Sequence, residues 1–559
     1  MDDKILYQEN RKSHKRFRPS KPFWNDELKL EFGKITKIER DLKNCTYRRQ
    51  RGVLRRTFKE QRKAFDQLYR RAERVYHKEK LDKLEQDCGT DPKSFWTDVK
   101  KLGPRNKREI PWQVENEIGE ITGDRAEVLE RWVKDFEALY NPTRIGCKTR
   151  AEAVHERDTQ DFTYLSELNM SDPLYEPVAG LNNNFTIEEI KKALDKLKNK
   201  KATGVDNVPN EILKLPVILD TLKELLQLYF DTGIIPSSWE KAIIKPLPKS
   251  SDKDQKVPLN YRGISLLSCV GKLYTSILNN RMLMYLDSNT LLNEEQNGFR
   301  KGRSCSEHIF TLHSIVQGRL EQKKKTWATF VDFSKAFDGV SRSFLLYKLL
   351  QVGVDGKFYK AVKSIYRHTV ASINLNGELS KEFETFFGVR QGDSMSPTLF
   401  AIFINDLATE LKLSNLGVRI GDQPVPILMY ADDIILLADD QETLQSMLDI
   451  LYAWCQKWAM TVNFEKTKFI EFRGLRQNST DVKFYFGDTE IMRCSSYKYL
   501  GVYFDEKLKF DVHDDMISKA AKKALGALQF KYRQMKNMGY KTFTRLFETE
   551  RCSDLRLWF

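Results

Sequence analysis

Two adjacent acids, Asp432 and Asp433, lie between two apolar runs rich in β-forming residues, at 427–430 and 434–437. This pattern predicts a β-hairpin with the acids at its turn. Asp is common in turns, so a plain polar loop tip is one interpretation. However, an unpaired charge beside strands apolar enough to be buried is costly. A divalent cation would remove that cost, because hard cations such as Mg²⁺ prefer carboxylate oxygens, and the pair is therefore a candidate metal site.

A third acid, Asp332, ends another β-like run, which starts at Thr326 and leads into a helix predicted to begin near Ser341. Because Asp332 lies far upstream of Asp432 in the chain, only the fold could bring the two together. Three converging carboxylates could hold two cations roughly 3.5–4 Å apart, the arrangement that activates an attacking 3′-hydroxyl and stabilises a leaving pyrophosphate. Phosphoryl transfer of this kind depends mainly on positioning and charge.

The basic charge of the chain is concentrated near its N-terminus. The formal net charge is +15, and residues 48–80 alone carry 13 Lys/Arg against 4 Asp/Glu. The sequence between Trp24 and Gln86 is helical in pattern, and its apolar residues recur on one face, at Phe58, Phe65, Tyr69, Ala72 and Tyr76. A basic helical surface favours a polyanionic partner, most simply a nucleic acid, although basic helices are often merely solvated.

Composition excludes several classes of protein. There is no apolar run near the ~18 residues needed to cross a bilayer, and the N-terminus lacks the apolar segment of a secretory signal. The eight cysteines form no CxxC pair and no pattern typical of a disulfide framework. We therefore expect a protein of a reducing compartment, the nucleus or the cytoplasm, that is neither secreted nor membrane-bound.

Three motifs occur in a fixed order: Phe-Val-Asp-Phe-Ser-Lys-Ala-Phe-Asp at 330–338, Arg-Gln-Gly-Asp at 390–393 and Tyr-Ala-Asp-Asp at 430–433. Together they resemble a reverse transcriptase, in particular the enzyme of non-LTR (LINE-type) retrotransposons. Flanking stretches that agree with this resemblance lie at 233–249, 261–266, 296–304, 463–467 and 499–501. The resemblance extends from about residue 185 to about residue 530, and more loosely through the N-terminal helices.

The resemblance implies roles for particular residues. Asp332, Asp432 and Asp433 would be ligands of two Mg²⁺ ions, or of Mn²⁺ in their place, with the carbonyl of Phe333 as an additional ligand. Lys466 would protonate the leaving pyrophosphate, although a lysine there could merely be solvated. The triphosphate would be held by Arg262 and Lys249, whereas Gln391 and Gly392 would line the nucleotide and the template, Phe337 would lie beneath the sugar, and residues 497–502 would support the primer end.

Some of these residues also have structural interpretations. Gly392 allows a backbone too close to a ligand for any Cβ atom, but a plain structural loop remains open. Phe337 could be an ordinary core residue. Gly263, Thr203 and Ala459 depart from residues frequent in the family, and each is expected to loosen a loop of the fingers or palm. No endonuclease domain precedes the motifs and no cysteine-histidine knuckle follows them, so the chain is expected to be a partial product of an element.

Local signals predict several further elements. Residues 124–140 have a helical pattern, residues 110–122 are predicted to form a small hairpin, and residues 242–245 a short strand followed by a polar loop from Pro246 to Asn260. Thr186 and Glu189 have the form of a capping box that opens a helix. The Ser396–Pro397 step marks another helix start, with a buried stripe at Phe400, Phe403, Ile404, Leu407 and Leu411.

The predicted fold is therefore α+β, a right-hand polymerase preceded by a basic helical region. The expected divisions are an N-terminal region at 1–140, a polar linker at 141–184, fingers at 185–325, an antiparallel-sheet palm at 326–505 and a partial thumb at 506–559. The expected activity is RNA-directed DNA synthesis, with an RNA template, a DNA primer and dNTPs as partners. One alternative is an inactive nucleic-acid-binding remnant, and another, an RNA-templated RNA polymerase, is disfavoured by Phe337. The sequence predicts no oligomeric state.

Overall fold

The computed structural model describes residues 21–90, 110–115, 119–141, 177–249, 253–535 and 544. Most of the predicted linker (142–176) lies outside the described residues, as do residues 536–543 and 545–559 of the predicted thumb. The chain divides into two compact units, the first formed by 1–107 with 516–559 and the second by 108–515. Within the described part, no helix is both long enough and apolar enough to cross a membrane.

The helices are distributed along the whole described chain. They are α1 (Asp26–Asn44), α2 (Arg48–Thr90), α3 (Arg125–Tyr140), α4 (Ala179–Asn182), α5 (Ile187–Lys196), α6 (Asn210–Leu213), α7 (Leu219–Thr232), α8 (Ser237–Glu240), α9 (Cys269–Ser288), α10 (Cys305–Glu321), α11 (Arg342–Gln351), α12 (Gly356–Arg367), α13 (Ser396–Leu413), α14 (Gln441–Trp458) and α15 (Asp511–Met535).

The strands found among the described residues all lie in the second unit. They are β1 (Val114–Glu115), β2 (Ile121–Thr122), β3 (Lys241–Pro248), β4 (Tyr261–Leu266), β5 (Thr326–Asp332), β6 (Val370–Leu375), β7 (Glu378–Leu379), β8 (Phe383–Glu384), β9 (Val418–Ile420), β10 (Gln423–Val425), β11 (Ile427–Tyr430), β12 (Asp433–Ala438), β13 (Lys468–Phe472), β14 (Phe484–Phe486), β15 (Thr489–Arg493), β16 (Ser496–Tyr499) and β17 (Val502–Asp505).

In the first unit, α1 and α2 pack against each other. Leu28 and Ile35 of α1 are buried against Phe65 of α2, and the predicted apolar face of α2 surrounds this contact. The helical prediction is confirmed, with a break at residues 45–47 between the two helices. The Lys and Arg side chains of α2 lie away from this small core and are exposed.

A six-stranded sheet forms the centre of the second unit, with the strand order β11-β12-β5-β13-β15-β14. Its strands pair antiparallel, except that β13 and β15 are parallel. Alternate residues of β5 enter different hydrophobic cores, since Trp327 and Val331 lie in one cluster and Ala328 and Phe330 in another. Both faces of the sheet are therefore covered at β5, β11 and β12, which explains why these three strands are nearly continuous in apolar residues.

A second sheet has the order β4-β3-β6-β7, with β8 also paired to β6. Strand β3 is longer than the predicted 242–245, because Pro246 and Pro248 belong to it and not to the following loop. Proline is tolerated at these two positions because β6 pairs only with Lys241–Ile244, so the side that would need their N–H groups is open.

Helix α3 packs on this second sheet. Its Trp132 and Phe136 are buried with Tyr261 of β4 and Ile373 of β6. The predicted helix at 124–140 and the predicted hairpin within 110–122 (β1 and β2) are both confirmed. At the end of the predicted linker, α4 places Leu181 in the main core of the unit.

Helix start signals in the sequence are confirmed. Thr186 and Glu189 form the predicted capping box at the start of α5, and Ser341 caps α11. Helix α13 begins at the predicted Ser396–Pro397 step and buries its predicted stripe, at Phe400, Phe403, Ile404, Leu407 and Leu411. The predicted α+β class with a mainly antiparallel central sheet is confirmed, whereas the divisions into fingers, palm and thumb stay predictions.

Candidate active site

The three predicted acids meet at one end of the central sheet. Strands β11 and β12 form the predicted hairpin, with Ala431 and Asp432 as its two-residue turn. Asp433 begins β12 and lies directly opposite Asp332, the last residue of β5. Residues paired in this way have Cβ atoms about 4.5–5.5 Å apart. The fold therefore brings together carboxylates that are about a hundred positions apart in the sequence, as the sequence predicts.

The positive groups around the three acids do not fully offset their negative charge. Burial, and then the nearby charge of Asp332, raises the pKa of Asp432. Burial raises the pKa of Asp433 to about 6, with further contributions from Asp432 and Asp332. Repulsion among carboxylates of this kind is relieved by a hard cation, so the donor set suits a divalent metal ion.

The carboxylates do not form a finished metal cage. In the part of the chain that the structure describes, no group of three or more His, Cys, Asp or Glu side chains is arranged closely enough to hold a metal ion. Mg²⁺ is usually bound through one or two carboxylates together with substrate oxygens, so a closed cage of protein side chains is not needed for it. The backbone positions that carry the three acids are fixed by the strand register.

Lys466 lies beside the first acid. Its Nζ donates to both carboxylate oxygens of Asp332, at 3.0 Å each, and the side chain is 62% exposed. The segment around Lys466 also holds the backbone of Asp332, since the N–H of Asp332 donates to Thr467 Oγ1 and its carbonyl accepts from the N–H of Asn463. The lysine is thus an ion-pair partner of Asp332, and it is not merely solvated.

The turn between β11 and β12 is supported from below by a glutamine that the sequence analysis had not assigned to the site. The fully buried Gln296 accepts hydrogen bonds at Oε1 from the N–H groups of Ala431 and Gly298. Ala431 has a left-handed backbone (φ +59°), and a Cβ on Gly298 would lie 2.3 Å from its nitrogen. The segment at 296–298 therefore contacts the turn that carries the acids, and the Gln-Asn-Gly sequence by itself indicates only a turn.

The two predicted triphosphate ligands lie on the second sheet. Arg262 is exposed on β4, and its charge counteracts the rise in the pKa of Asp432. Lys249 follows β3 and donates from Nζ to the carbonyl of Leu259 at 2.8 Å. Burial, and then repulsion from Lys253 among other cations, lowers the pKa of Lys249. Positive charge therefore faces the acids from this sheet.

Gln391 is held by an acid that the sequence analysis left without a role. Its Nε2 donates to both carboxylate oxygens of Asp338, at 3.0 and 3.1 Å. Burial raises the pKa of Asp338 to about 6, while Gln391 and two lysines, Lys249 and Lys335, oppose that rise. Because the amide nitrogen is engaged with Asp338, Oε1 is the end of Gln391 that remains to accept a hydrogen bond.

Gly392 is required by a neighbouring strand. It has φ +115°, and a Cβ there would lie 2.7 Å from the carbonyl oxygen of Ser265 in β4. The N–H of Ser265 also donates to the carbonyl of Gln391. The contact with β4 is therefore enough to explain why this residue is glycine, without a ligand beside it. The residue is nevertheless exposed next to Gln391.

Two phenylalanines follow Asp332 in different environments. The ring of Phe333 is buried against Trp454, so only its backbone can face the acids. Phe337 is half-buried, stacks on Phe400 with 4.5 Å between ring centroids, and meets the exposed Phe299 edge-on. Phe337 is therefore anchored by the core on one side and accessible on the other.

The structure gives reasons for two of the three departures from the family pattern. Gly263 lies within β4, and a Cβ there would lie 2.8 Å from the ring of Phe136, so glycine allows α3 to pack closely on the sheet. Gly263 thus lies in a strand and not in a loop, and the loosening expected there stays a prediction. Ala459 ends α14 with a left-handed backbone (φ +53°), which glycine would adopt without strain. Nothing in the structure explains Thr203.

Residues 247–504 match a protein family described as reverse transcriptase (RNA-dependent DNA polymerase). The RNA-directed DNA polymerase from mobile element jockey of Drosophila melanogaster is 28% identical over 453 residues, which cover 79% of this chain and 46% of that protein. A probable RNA-directed DNA polymerase from transposon BS of the same organism is 27% identical over 428 residues, covering 75% of this chain and 45% of that protein. The chain thus spans about half the length of the curated relatives that it matches.

Among solved structures, apo telomerase from Candida tropicalis is similar with a TM-score of 0.37 and 13% sequence identity, over 61% of this chain and 62% of that one. The family match covers all the motifs identified above, and the relatives are reverse transcriptase proteins of mobile elements. The chain therefore carries a reverse transcriptase domain at residues 247–504, preceded by an N-terminal region, and its homologues are the reverse transcriptases of non-LTR, LINE-type elements.

Proposed function

We propose that this chain is an RNA-directed DNA polymerase that extends a DNA primer on an RNA template with dNTPs. The observation that carries the proposal is the meeting of Asp332, Asp432 and Asp433 at one end of the central sheet, inside the domain that matches the reverse transcriptase family. Reverse transcriptases generally use divalent metal ions. We infer that this one uses two Mg²⁺ ions, for which Mn²⁺ could substitute.

The three acids would hold the cations, with the Phe333 carbonyl as a further oxygen ligand. Bound there, divalent cations would lower the pKa of the primer's 3′-hydroxyl and offset the charge of the triphosphate. The raised pKa values of Asp432 and Asp433 support this role, because they reflect the burial of these carboxylates and then their closeness to one another and to Asp332. Lys466, already 3.0 Å from Asp332, is the proposed proton donor to the leaving pyrophosphate.

The nucleotide would lie between the acids and the second sheet. Arg262 and Lys249 would bind the triphosphate through charge, since both act electrostatically on acids of this region. Gln391, with its amide nitrogen engaged by Asp338, would present its carbonyl oxygen to the nucleotide, beside the exposed backbone of Gly392. Phe337 would contact the sugar with the accessible side of its ring.

Primer extension on poly(rA)/oligo(dT) in Mg²⁺ tests the proposal. The expected result is that the protein incorporates dTTP in preference to UTP when both are supplied. Binding of the template–primer without extension would instead identify an inactive nucleic-acid-binding remnant, and preferential use of UTP would indicate an RNA polymerase. We expect the protein to act in the nucleus or the cytoplasm.

A further inference from the structure

Behind the acid-bearing hairpin, three polar side chains form a continuous hydrogen-bonded chain. His308, in the first turn of α10, is fully buried. Its Nδ1 lies 2.9 Å from Asn297 Nδ2, and its Nε2 lies 2.9 Å from the hydroxyl of Tyr499. The Tyr499 hydroxyl in turn donates to the backbone carbonyl of Asp433 at 3.2 Å. Both ring nitrogens of His308 and the hydroxyl of Tyr499 are therefore paired, whereas Asn297 Oδ1 has no partner among the described residues.

The donors and acceptors in this chain run in one direction. An amide nitrogen can only donate, so Nδ1 of His308 must accept from Asn297, and the ring proton must be on Nε2. Nε2 then donates to Tyr499, which leaves the tyrosine's own hydrogen for the Asp433 carbonyl. If the bonds ran in the opposite direction, the Tyr499 hydroxyl would donate to His308, and the carbonyl of Asp433 would lose this hydrogen bond. A neutral histidine is therefore part of the arrangement.

The chain of side chains holds both strands of the hairpin. At one end, the N–H of Asn297 donates to the carbonyl of Met429 in β11, at 2.9 Å. At the other end, Tyr499 holds Asp433 in β12. Tyr499 is only 2% exposed, so its hydroxyl faces the hairpin and is not available to a primer. The role expected for residues 497–502 as a whole stays a prediction.

We propose that Asn297, His308 and Tyr499 are positioning residues that fix the backbone of the Asp432–Asp433 turn from behind and thereby set the direction of the Asp433 carboxylate. This inference rests on the proposed polymerase function. A catalytic group misplaced by 1 Å can slow a reaction by about 100-fold. Loss of one of these hydrogen bonds should displace the turn by less than about 1 Å, so we expect the rate to fall about tenfold.

Tyr499→Phe is the primary test, because it removes only the hydroxyl. We expect kcat for single-nucleotide incorporation to fall about tenfold, with the KM for dNTP changed little. The melting temperature should fall by about a few degrees, because His308 Nε2 and the Asp433 carbonyl each lose a buried hydrogen-bond partner. Hydrogen exchange of the amides in residues 427–438 should become faster. The matched control is Tyr274→Phe, since Tyr274 is also fully buried but its hydroxyl has no hydrogen-bond partner among the described residues. It should leave kcat, KM and hydrogen exchange unchanged, and it should raise the melting temperature slightly because it removes an unpaired buried hydroxyl.

His308 provides a second, independent test. His308→Gln keeps an amide nitrogen that can reach Tyr499, so it should retain more activity than His308→Leu. Because both residues act through one chain, Tyr499→Phe combined with His308→Leu should lose little more than the more damaging single change.

The inference is overturned if Tyr499→Phe matches wild type in kcat and in hydrogen exchange, or if the KM for dNTP rises in step with the fall in kcat. It is also overturned if the fold-losses in kcat caused by Tyr499→Phe and by His308→Leu multiply in the double variant. An inactive wild-type protein would instead contradict the proposed polymerase function, so the two failures are distinguishable.

Discussion

Gly298→Ala should disable the active site through a single methyl group. A Cβ at this position would lie 2.3 Å from the backbone nitrogen of Ala431 and 2.9 Å from its Cα, whereas ordinary van der Waals contact begins at about 3.4 Å. The turn that carries Asp432 would therefore have to move by about 1 Å. A displacement of that size costs about 100-fold in rate, and the overpacking costs about 1–3 kcal/mol of folding free energy.

The assay is single-nucleotide incorporation on an RNA template with a DNA primer, together with thermal unfolding. Gly318→Ala is the matched control, because Gly318 lies within α10 and a Cβ there meets nothing within 4 Å. That change should leave incorporation unaltered and stabilise the helix by up to about 1 kcal/mol. Wild-type incorporation by Gly298→Ala would refute the assignment of this contact and the role given to the turn.

Three further changes test other parts of the molecule. Phe337→Val should raise ribonucleotide relative to deoxyribonucleotide incorporation, because it removes the ring proposed to contact the sugar; an unchanged preference would make Phe337 a core residue only. Ala459→Gly should raise the free energy of unfolding by about 1 kcal/mol in a urea titration, since it relieves a left-handed alanine. Each phosphate contact contributes roughly 0.7–0.9 to the slope of log K against log salt, so the slope for RNA should flatten when Gln replaces five exposed arginines of α2; an unaltered slope would show that this face is merely solvated. These arginines are Arg55, Arg56, Arg62, Arg70 and Arg71.

Local signals in the sequence were sufficient for much of the fold. The apolar runs around Asp432 and Asp433 predicted the hairpin, and the caps at Thr186 and Ser341 predicted two helix starts. These signals work because a hairpin turn or a helix cap is determined by a few neighbouring residues. The order of the motifs then indicated which acids should meet.

The remainder of the site depends on contacts between distant segments. The bond from Ala431 to Gln296 and the approach of Gly392 to Ser265 each join segments more than a hundred residues apart. A buried glutamine or a glycine in a turn has no periodicity that would indicate its partner. Asp338 was visible within the first motif, but its contact with Gln391 appears only when the two loops are folded together.

Proline at 246 and 248 misled the sequence analysis for a related reason. Proline normally argues against a strand, and only the pairing of β6 with the first half of β3 shows that the N–H groups at these positions are not needed. The length of β3 is therefore determined by its pairing within the sheet and not by its own sequence alone.

The central claim is that Asp432, with Asp332 and Asp433, performs the chemistry of nucleotide addition. The most direct measurement is single-nucleotide incorporation by Asp432→Asn, with template–primer binding and melting temperature measured in parallel. Asp422→Asn is the matched control, since Asp422 is an exposed acid at the turn between β9 and β10. The account predicts at least about a 100-fold loss of incorporation by Asp432→Asn with binding and folding preserved, and wild-type behaviour of the control. Near wild-type incorporation by Asp432→Asn would contradict the account.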